Sequence, residues 1–428
     1  MNMKTESKSI QQFTNDFKDM VNTVTFNSLG FFFLDFLIPV VAIYLNASGA
    51  EMGILFSLRT VGYLISSSFV GILTDRYSRK ILVMVGSIGR GSSYFILYLA
   101  IVFETIAGLA LGTTVLGFMV GFYWIPFNSL IADKSHKANR SKAYGFRTAA
   151  QGRGNLLGGI IGFTIFVYAM AYDLSNFVAY LALPIFGLAN FYAAYIFLKK
   201  VKEEDKISLS LVDFSNKTEN TKKQAFPLIF LGSGLLLLFV ILLSSINGSI
   251  ARPFLIPYLL ETLSSDPSIA TLVYVPSALI SLSLAPRIGE LADRLNIYLG
   301  ISIGSLCGAG ITLLLITTNN LLIFAILLTL DTAIALTTGL MLTNMFSRIS
   351  SRHRGKILGI SSFFGDIGTL IGPIGGGILW DLFTKQTPFI LSIGVEVLLI
   401  PFFIIAIYYL KPYLTEKYDS DKNFNASN

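Results

Sequence analysis

The chain has 428 residues, 53% of them hydrophobic and 13% charged, with a mean hydropathy of +0.67. That balance excludes a water-soluble globule as the main architecture and makes lipid the solvent for most of the chain. The net charge of +7 invites a nucleic-acid reading, which the placement of the basic residues opposes.

A polar, amphipathic start carrying Lys4, Lys8 and Lys18 comes first, too long and polar for a cleavable signal peptide. Apolar runs long enough to cross a ~30 Å hydrocarbon core as helices follow at 22–45, 50–73, 81–103, 106–131, 143–170 and 177–198. A hydrophilic stretch from Lys199, rich in Lys, Glu, Asp, Ser and Asn, reads as a flexible linker. Six further runs occupy 226–262, 268–291, 297–317, 321–347, 356–380 and 388–410. The seventh run is too long for one straight span. Gly248, Pro253 and Pro257 offer places to bend it, and it counts once because a second span there would be too short.

This predicts an all-α integral membrane protein of twelve transmembrane helices in two six-helix bundles. The expected division is 1–198 for the first bundle with its short N-terminus, 199–225 for the linker, 226–410 for the second bundle and 411–428 for the tail. With the N-terminus inside, inside segments hold 25 of the 32 basic residues, and outside loops hold only Lys385. That asymmetry predicts cytoplasmic termini and explains the positive charge without nucleic acid.

The halves repeat each other. Phe36-Leu37-Ile38-Pro39 returns as Phe254-Leu255-Ile256-Pro257, 218 positions later. Gly71-Ile72-Leu73-Thr74-Asp75-Arg76 returns at the same offset as Gly289-Glu290-Leu291-Ala292-Asp293-Arg294. A third match, shifted by 214, pairs Arg140, Lys142, Gly145, Gly154 and Gly158 with Arg354, Lys356, Gly359, Gly368 and Gly372. Six spans per half is an even number, so the halves share one orientation and are expected to be related by a pseudo-twofold axis along the membrane normal.

The charge knot has its own physics. Gly71 suits a close helix approach. Asp75 suits the positive end of span 11 near Gly355. Arg79 is within reach of Asp133 at the end of span 4. A plainer reading is a basic loop that only sets topology.

Gly71-x-x-x-Asp75-Arg76-x-x-Arg79-Lys80 between spans 2 and 3, the two sets of six spans and the basic central linker together resemble the major facilitator superfamily of secondary transporters. The second copy, Gly289, Asp293 and Arg294, has Leu295 and Asn296 in place of the trailing basic pair. Gly368-x-x-x-Gly372-Pro373 in span 11 is similar to the glycine-proline motif of the family's antiporters, which usually belongs to span 5. Here span 5 has Gly154-x-x-x-Gly158-Gly159 without proline. The resemblance implies alternating access, and a cytoplasmic latch of Gly71, Asp75, Arg76, Arg79, Asp133, Gly289, Asp293 and Arg294 that breaks when the cavity opens inward. It also makes spans 1, 4, 7 and 10 the cavity-lining helices.

Charges within the spans locate the chemistry. Asp35, Arg59, Arg252 and Asp331 each lie about ten residues from the outer helix end, ~15 Å deep. A charge at that depth must face water or another charge. Asp35 is expected to couple transport by taking a proton in one half of the cycle and pairing with Arg59 or Arg252 in the other; a permanent salt bridge between spans 1 and 2 is the alternative. Arg147, Arg153 and Asp366 suit an ion pair between the halves. Arg90 and Glu396 lie on helices expected at the periphery, where structural pairing is the reading. The aromatic residues, including Phe31 to Phe33, Phe122, Tyr123, Phe127, Phe363 and Phe364, could line a hydrophobic substrate cavity, with lipid-facing or helix-packing roles expected for most; Trp124 with Asn128, four apart near Pro126, is the pair placed at the cavity.

Other chemistry is missing. There is no Gly-x-x-x-x-Gly-Lys-Ser/Thr phosphate loop, no His-Glu-x-x-His string and no cysteine pair, Cys307 being alone. His136 and His353 read as solvated loop residues. The expectation is a monomeric plasma-membrane transporter, not an enzyme, without cofactor or metal, whose partners are a small-molecule substrate, protons and the bilayer. Proton-driven efflux of amphipathic compounds comes first and uptake of a polar or anionic metabolite by a symporter or uniporter second. A non-transporting membrane sensor or scaffold is the alternative of another class.

Overall fold

The computed structural model describes residues 13–136, 139–203, 228–294, 297–349 and 354–410. Most of the linker, the tail, Lys4, Lys8 and His353 lie outside them, as do the side chains of Glu290, Asp293 and Arg294. The chain folds into helices α1 (Phe17–Asn27), α2 (Phe31–Tyr44), α3 (Gly49–Arg76), α4 (Arg79–Val102), α5 (Ile106–Asp133), α6 (Arg140–Ala171), α7 (Asn176–Ala179) and α8 (Ala182–Lys200). Then come α9 (Leu228–Ala251), a 3-10 turn (Arg252–Phe254), α10 (Leu255–Thr262), α11 (Pro267–Arg294), α12 (Ile297–Thr317), α13 (Leu321–Ile349), α14 (Arg354–Leu382) and α15 (Thr387–Leu410). Among the described residues, eleven helical segments are long and apolar enough to cross a membrane, and α11, apolar over Pro267–Ser281, makes the twelfth. The chain is an all-helical multi-pass membrane protein, as its composition demands, because a helix satisfies every backbone polar group within itself.

Two compact units result: Met1–Leu37 with Leu58–Asn220, and Ile38–Ser57 with Thr221–Asn428. In the first unit, span 1 is not the continuous helix expected. It divides into α1 and α2 around a turn at residues 28–30. Its neighbour α6 is fitted to that shape. A Cβ at Gly154, Gly158 or Gly162 would run into Thr25 O, Leu29 O or the Phe33 ring respectively. Three glycines at a four-residue step thus receive three span 1 positions at the same step, the close parallel packing that small residues permit in lipid. Three interhelical turns end the same way. Asn46, Glu104 and Asp173 adopt positive φ of 55°, 55° and 49°. The next amide in each case bonds back five residues, to Ala42, Ala100 and Ala169, a left-handed cap that satisfies free carbonyls at the helix end.

The other end of this unit is tied by charge. Asp16 Oδ2 accepts from Lys134 Nζ (2.6 Å) and from the Lys202 amide (2.8 Å), while Lys134 Nζ also donates to Lys202 O (2.5 Å). Glu203 accepts from the Ser78 hydroxyl and the Arg79 amide (2.6 Å), closing the start of α4 with the residues that follow α8.

In the second unit, span 7 bends where Pro253 removes an amide, through the 3-10 turn, whereas Gly248 and Pro257 stay helical. Gly368, Gly372 and Gly376 of α14 receive α9 at Ser245, Ser249 and Ile250, and the Ser249 hydroxyl donates to Gly368 O (3.0 Å). The other face of α14 holds the first turns of α3. Asp381 accepts from the Gly49 and Ala50 amides (2.7 and 2.8 Å), and the Ser57 hydroxyl donates to Leu370 O (2.8 Å). A carboxylate at those free amides caps the helix.

Candidate functional site

Two constellations of membrane-embedded charge emerge, one in each unit. In the first, Arg59 Nη1 lies 2.7 Å from Asp35 Oδ1, with the side chains 41% and 47% accessible. Asp35 sits in the second turn of α2, so its place depends on the break before Phe31. Arg59 is set by α5, whose Gly117 admits the Arg59 carbonyl itself; Gly62 and Gly121 continue that close helix contact. The pair is partly open, unlike a sealed structural bridge.

In the second unit a cavity of about 260 Å³ is lined from α9, the 3-10 turn, α12, α13 and α15. Three ionisable side chains meet there: Arg252, Asp331 and Glu396. Arg252 and the Thr312 hydroxyl face the Asp331 carboxylate, and Glu396 lies within electrostatic range of Asp331. A Cβ at Gly308 would sit 2.8 Å from Glu396 Oε1, so that glycine leaves the room the carboxylate fills. Asn247 Oδ1, on the same wall, is buried without a hydrogen-bond partner among the described residues. Among the described residues, two carboxylates and one guanidinium line the cavity, a group formally one positive charge short of neutrality in surroundings where that deficit is expensive.

A family model described as Major Facilitator Superfamily matches residues 21–368 and, in a second match, 237–424. The chain belongs to the Major Facilitator Superfamily. It is a transporter, not an enzyme. It is similar to Multidrug resistance protein 1 of Bacillus subtilis (strain 168), 24% identical over 354 residues, covering 80% of this chain and 84% of that protein. Quinolone resistance protein NorA of Staphylococcus aureus (strain MSSA476) is 23% identical over 374 residues, covering 84% and 89%. Among solved structures, a bacterial homolog of the human lysosomal transporter Spinster, in its inward-facing, unoccupied conformation, matches with TM-score 0.69 and 17% identity, covering 92% of this chain and 95% of that one. The nucleoside transporter NupG gives 0.66, 14%, 92% and 99%. These structural likenesses establish the fold alone.

Against this superfamily frame, the remaining sequence-derived residues divide. Arg79 and Asp133 form the expected ion pair, and Arg79 Nε donates to Thr74 O (3.4 Å). Asp75 and Arg76 are exposed at the end of α3. A Cβ at Gly71 would meet nothing within 4 Å, so close packing does not account for that glycine. Trp124 stacks under Arg147 at 4.1 Å, whereas Asn128 is engaged through its carbonyl by the Tyr144 hydroxyl (3.2 Å). Arg153 is exposed and Asp366 half-buried. Phe33 and Phe127 are fully buried in aromatic clusters, the packing role expected for most of the rings.

The charges of spans 3 and 12 take different places. Glu396 faces the cavity, and Arg90 is completely buried in the first unit. Glu396 lies on a helix apolar all round, where periodicity gives no facing direction. The available signal was the charge itself, since an ionisable residue in lipid demands an interior position.

Proposed function

We propose that this chain is a proton-coupled exporter of amphipathic compounds, working by alternating access with both termini cytoplasmic and acting as a monomer in the plasma membrane. The observation that carries the reading is the cavity of Arg252, Asp331 and Glu396. Its missing positive charge is one that a proton supplies and a conformational change removes. At about 260 Å³ it falls below the ~300–1,000 Å³ of sites that enclose drug-sized ligands. It therefore suits the coupling ion better than the cargo. The open Asp35–Arg59 pair serves as the second charged station, its carboxylate released or held as the cycle turns. The names of the relatives, multidrug resistance and quinolone resistance, support export of amphipathic molecules. Uptake of an anionic metabolite would use the arginines of the first unit, but Arg59 is paired, Arg90 is sealed and Arg147 is stacked on Trp124.

The test is flux of ethidium in proteoliposomes with and without an imposed pH gradient. The wild-type chain is expected to move the dye against its gradient when ΔpH is applied. Asp331→Asn and Glu396→Gln are expected to lose at least 90% of that gradient-driven flux while retaining dye counterflow. Gradient-driven transport at wild-type rate in both variants would refute the assignment of the coupling site.

A further inference from the structure

The first span breaks within its apolar run, and one side chain touches both sides of the break. α1 rises ~16 Å over its 11 residues and stops at Asn27, inside the apolar run of span 1. A helix that ends there leaves carbonyls without intrahelical partners and the negative end of a dipole in hydrocarbon. Arg90 of α4 answers both needs. Its Nη2 donates to Asn27 O, and its guanidinium lies over the Phe31 ring, the first residue of α2, at 4.5 Å, and over Tyr123 at 5.0 Å.

The neighbouring residues of α4 extend the contact. One turn before Arg90, the Ser87 hydroxyl donates to Asn27 Oδ1 (2.9 Å) and to Asn190 O (2.8 Å). One turn after it, the Tyr94 ring occupies the space a Cβ on Gly30 would need. Ser87, Arg90 and Tyr94, spaced three and four apart on one helix face, thus engage residues 27, 31 and 30 in turn. Arg90 is 0% exposed and forms no ion pair among the described residues. A sealed cation without a carboxylate is tolerated there because two aromatic faces and a helix C-terminus supply diffuse negative charge.

We propose that Arg90 is the positioning residue of a hinge in span 1. It fastens the end of α1 to the start of α2, and so sets where Asp35, one turn beyond Phe31, meets Arg59. The hinge stands on this geometry alone; its influence on coupling rests on the transport reading above. Lysine would keep the charge and lose the planar fork and the stack, so Arg90→Lys separates fastening from simple charge and serves as the milder variant where Arg90→Met folds poorly.

Hydrogen exchange followed by mass spectrometry on the full-length protein in detergent tests the hinge without reference to transport. In Arg90→Lys, and more strongly in Arg90→Met, amides of residues 28–34 are expected to exchange about ten-fold faster, while peptides from α5 and from the second unit stay within two-fold of wild type. In proteoliposomes, Arg90→Lys is expected to shift the pH at which ethidium flux is half-maximal. Unchanged exchange at 28–34 in both variants, or acceleration spread evenly through the first unit, would overturn the hinge. An altered break with an unshifted pH profile would overturn only its link to coupling.

Discussion

At the scale of single residues, burial and exposure separate charges that the sequence presents alike. Asp35 and Arg59 are half open, whereas Asp16 and Lys134 are closed, at 7% and 0% exposure. Burial pushes the Asp16 carboxyl up, but the hydrogen bonds from Lys134, Thr14 and the Lys202 amide outweigh it and hold the group below its ordinary 3.8. A carboxylate depressed in the folded state stabilises above its unfolded pKa, and that contribution disappears as pH falls through the lower folded value. The melting temperature of the purified protein is therefore expected to fall below about pH 4, and less steeply in Asp16→Asn. At neutral pH, Lys134→Met is expected to cost about 3–5 kcal/mol, because it strands Asp16 as a buried charge. A shift within 0.5 kcal/mol would show that the closed pair holds nothing. Asp16 and Lys134 escaped the sequence reading because both sit in polar segments, where charge is unremarked; their burial depends on Lys202 arriving from 68 residues beyond Lys134.

At the scale of elements, helix existence was legible and helix continuity was not. Apolar runs bounded by charge mark a span because lipid tolerates little else. The break at Ser28–Gly30 lies within such a run, with Asn27, Ser28 and Gly30 as weak local signs, and packing fixes it: Arg90 and Tyr94 on α4 together with the glycines of α6. Span 7 was more readable because Pro253 cannot donate an amide. The glycines make a sharp comparison within one helix. A Cβ at Gly158 would strike the Leu29 carbonyl, which belongs to backbone and cannot rotate away, whereas a Cβ at Gly145 meets nothing within 4 Å. Gly158→Ala is accordingly expected to destabilise by about 1–3 kcal/mol. Gly145→Ala should be neutral or stabilising by up to about 1 kcal/mol, since alanine is the better helix former. Equal melting shifts for the two variants would contradict the packing described for α6.

At the scale of the whole molecule, the two halves have diverged in charge despite their common repeat. Among the described charged side chains within the spans, arginine predominates in the first unit, with Arg59, Arg90, Arg147 and Arg153 against Asp35. Carboxylates predominate in the second, with Asp331, Asp366 and Glu396 beside Arg252. The repeated Phe-Leu-Ile-Pro string announced the duplication and drew attention to Asp35 and Arg252. It carried no sign that Glu396 joins Asp331, because that meeting depends on which way α15 faces α12 and α13. The proposed coupling site lies in the second unit, so the decisive quantity is proton release rather than flux. Ethidium added to the purified transporter in unbuffered detergent solution at neutral pH is expected to release close to one proton per bound dye from the wild-type chain, and essentially none from Asp331→Asn. Dye binding with no proton release from the wild type, or undiminished release from Asp331→Asn, would contradict the account.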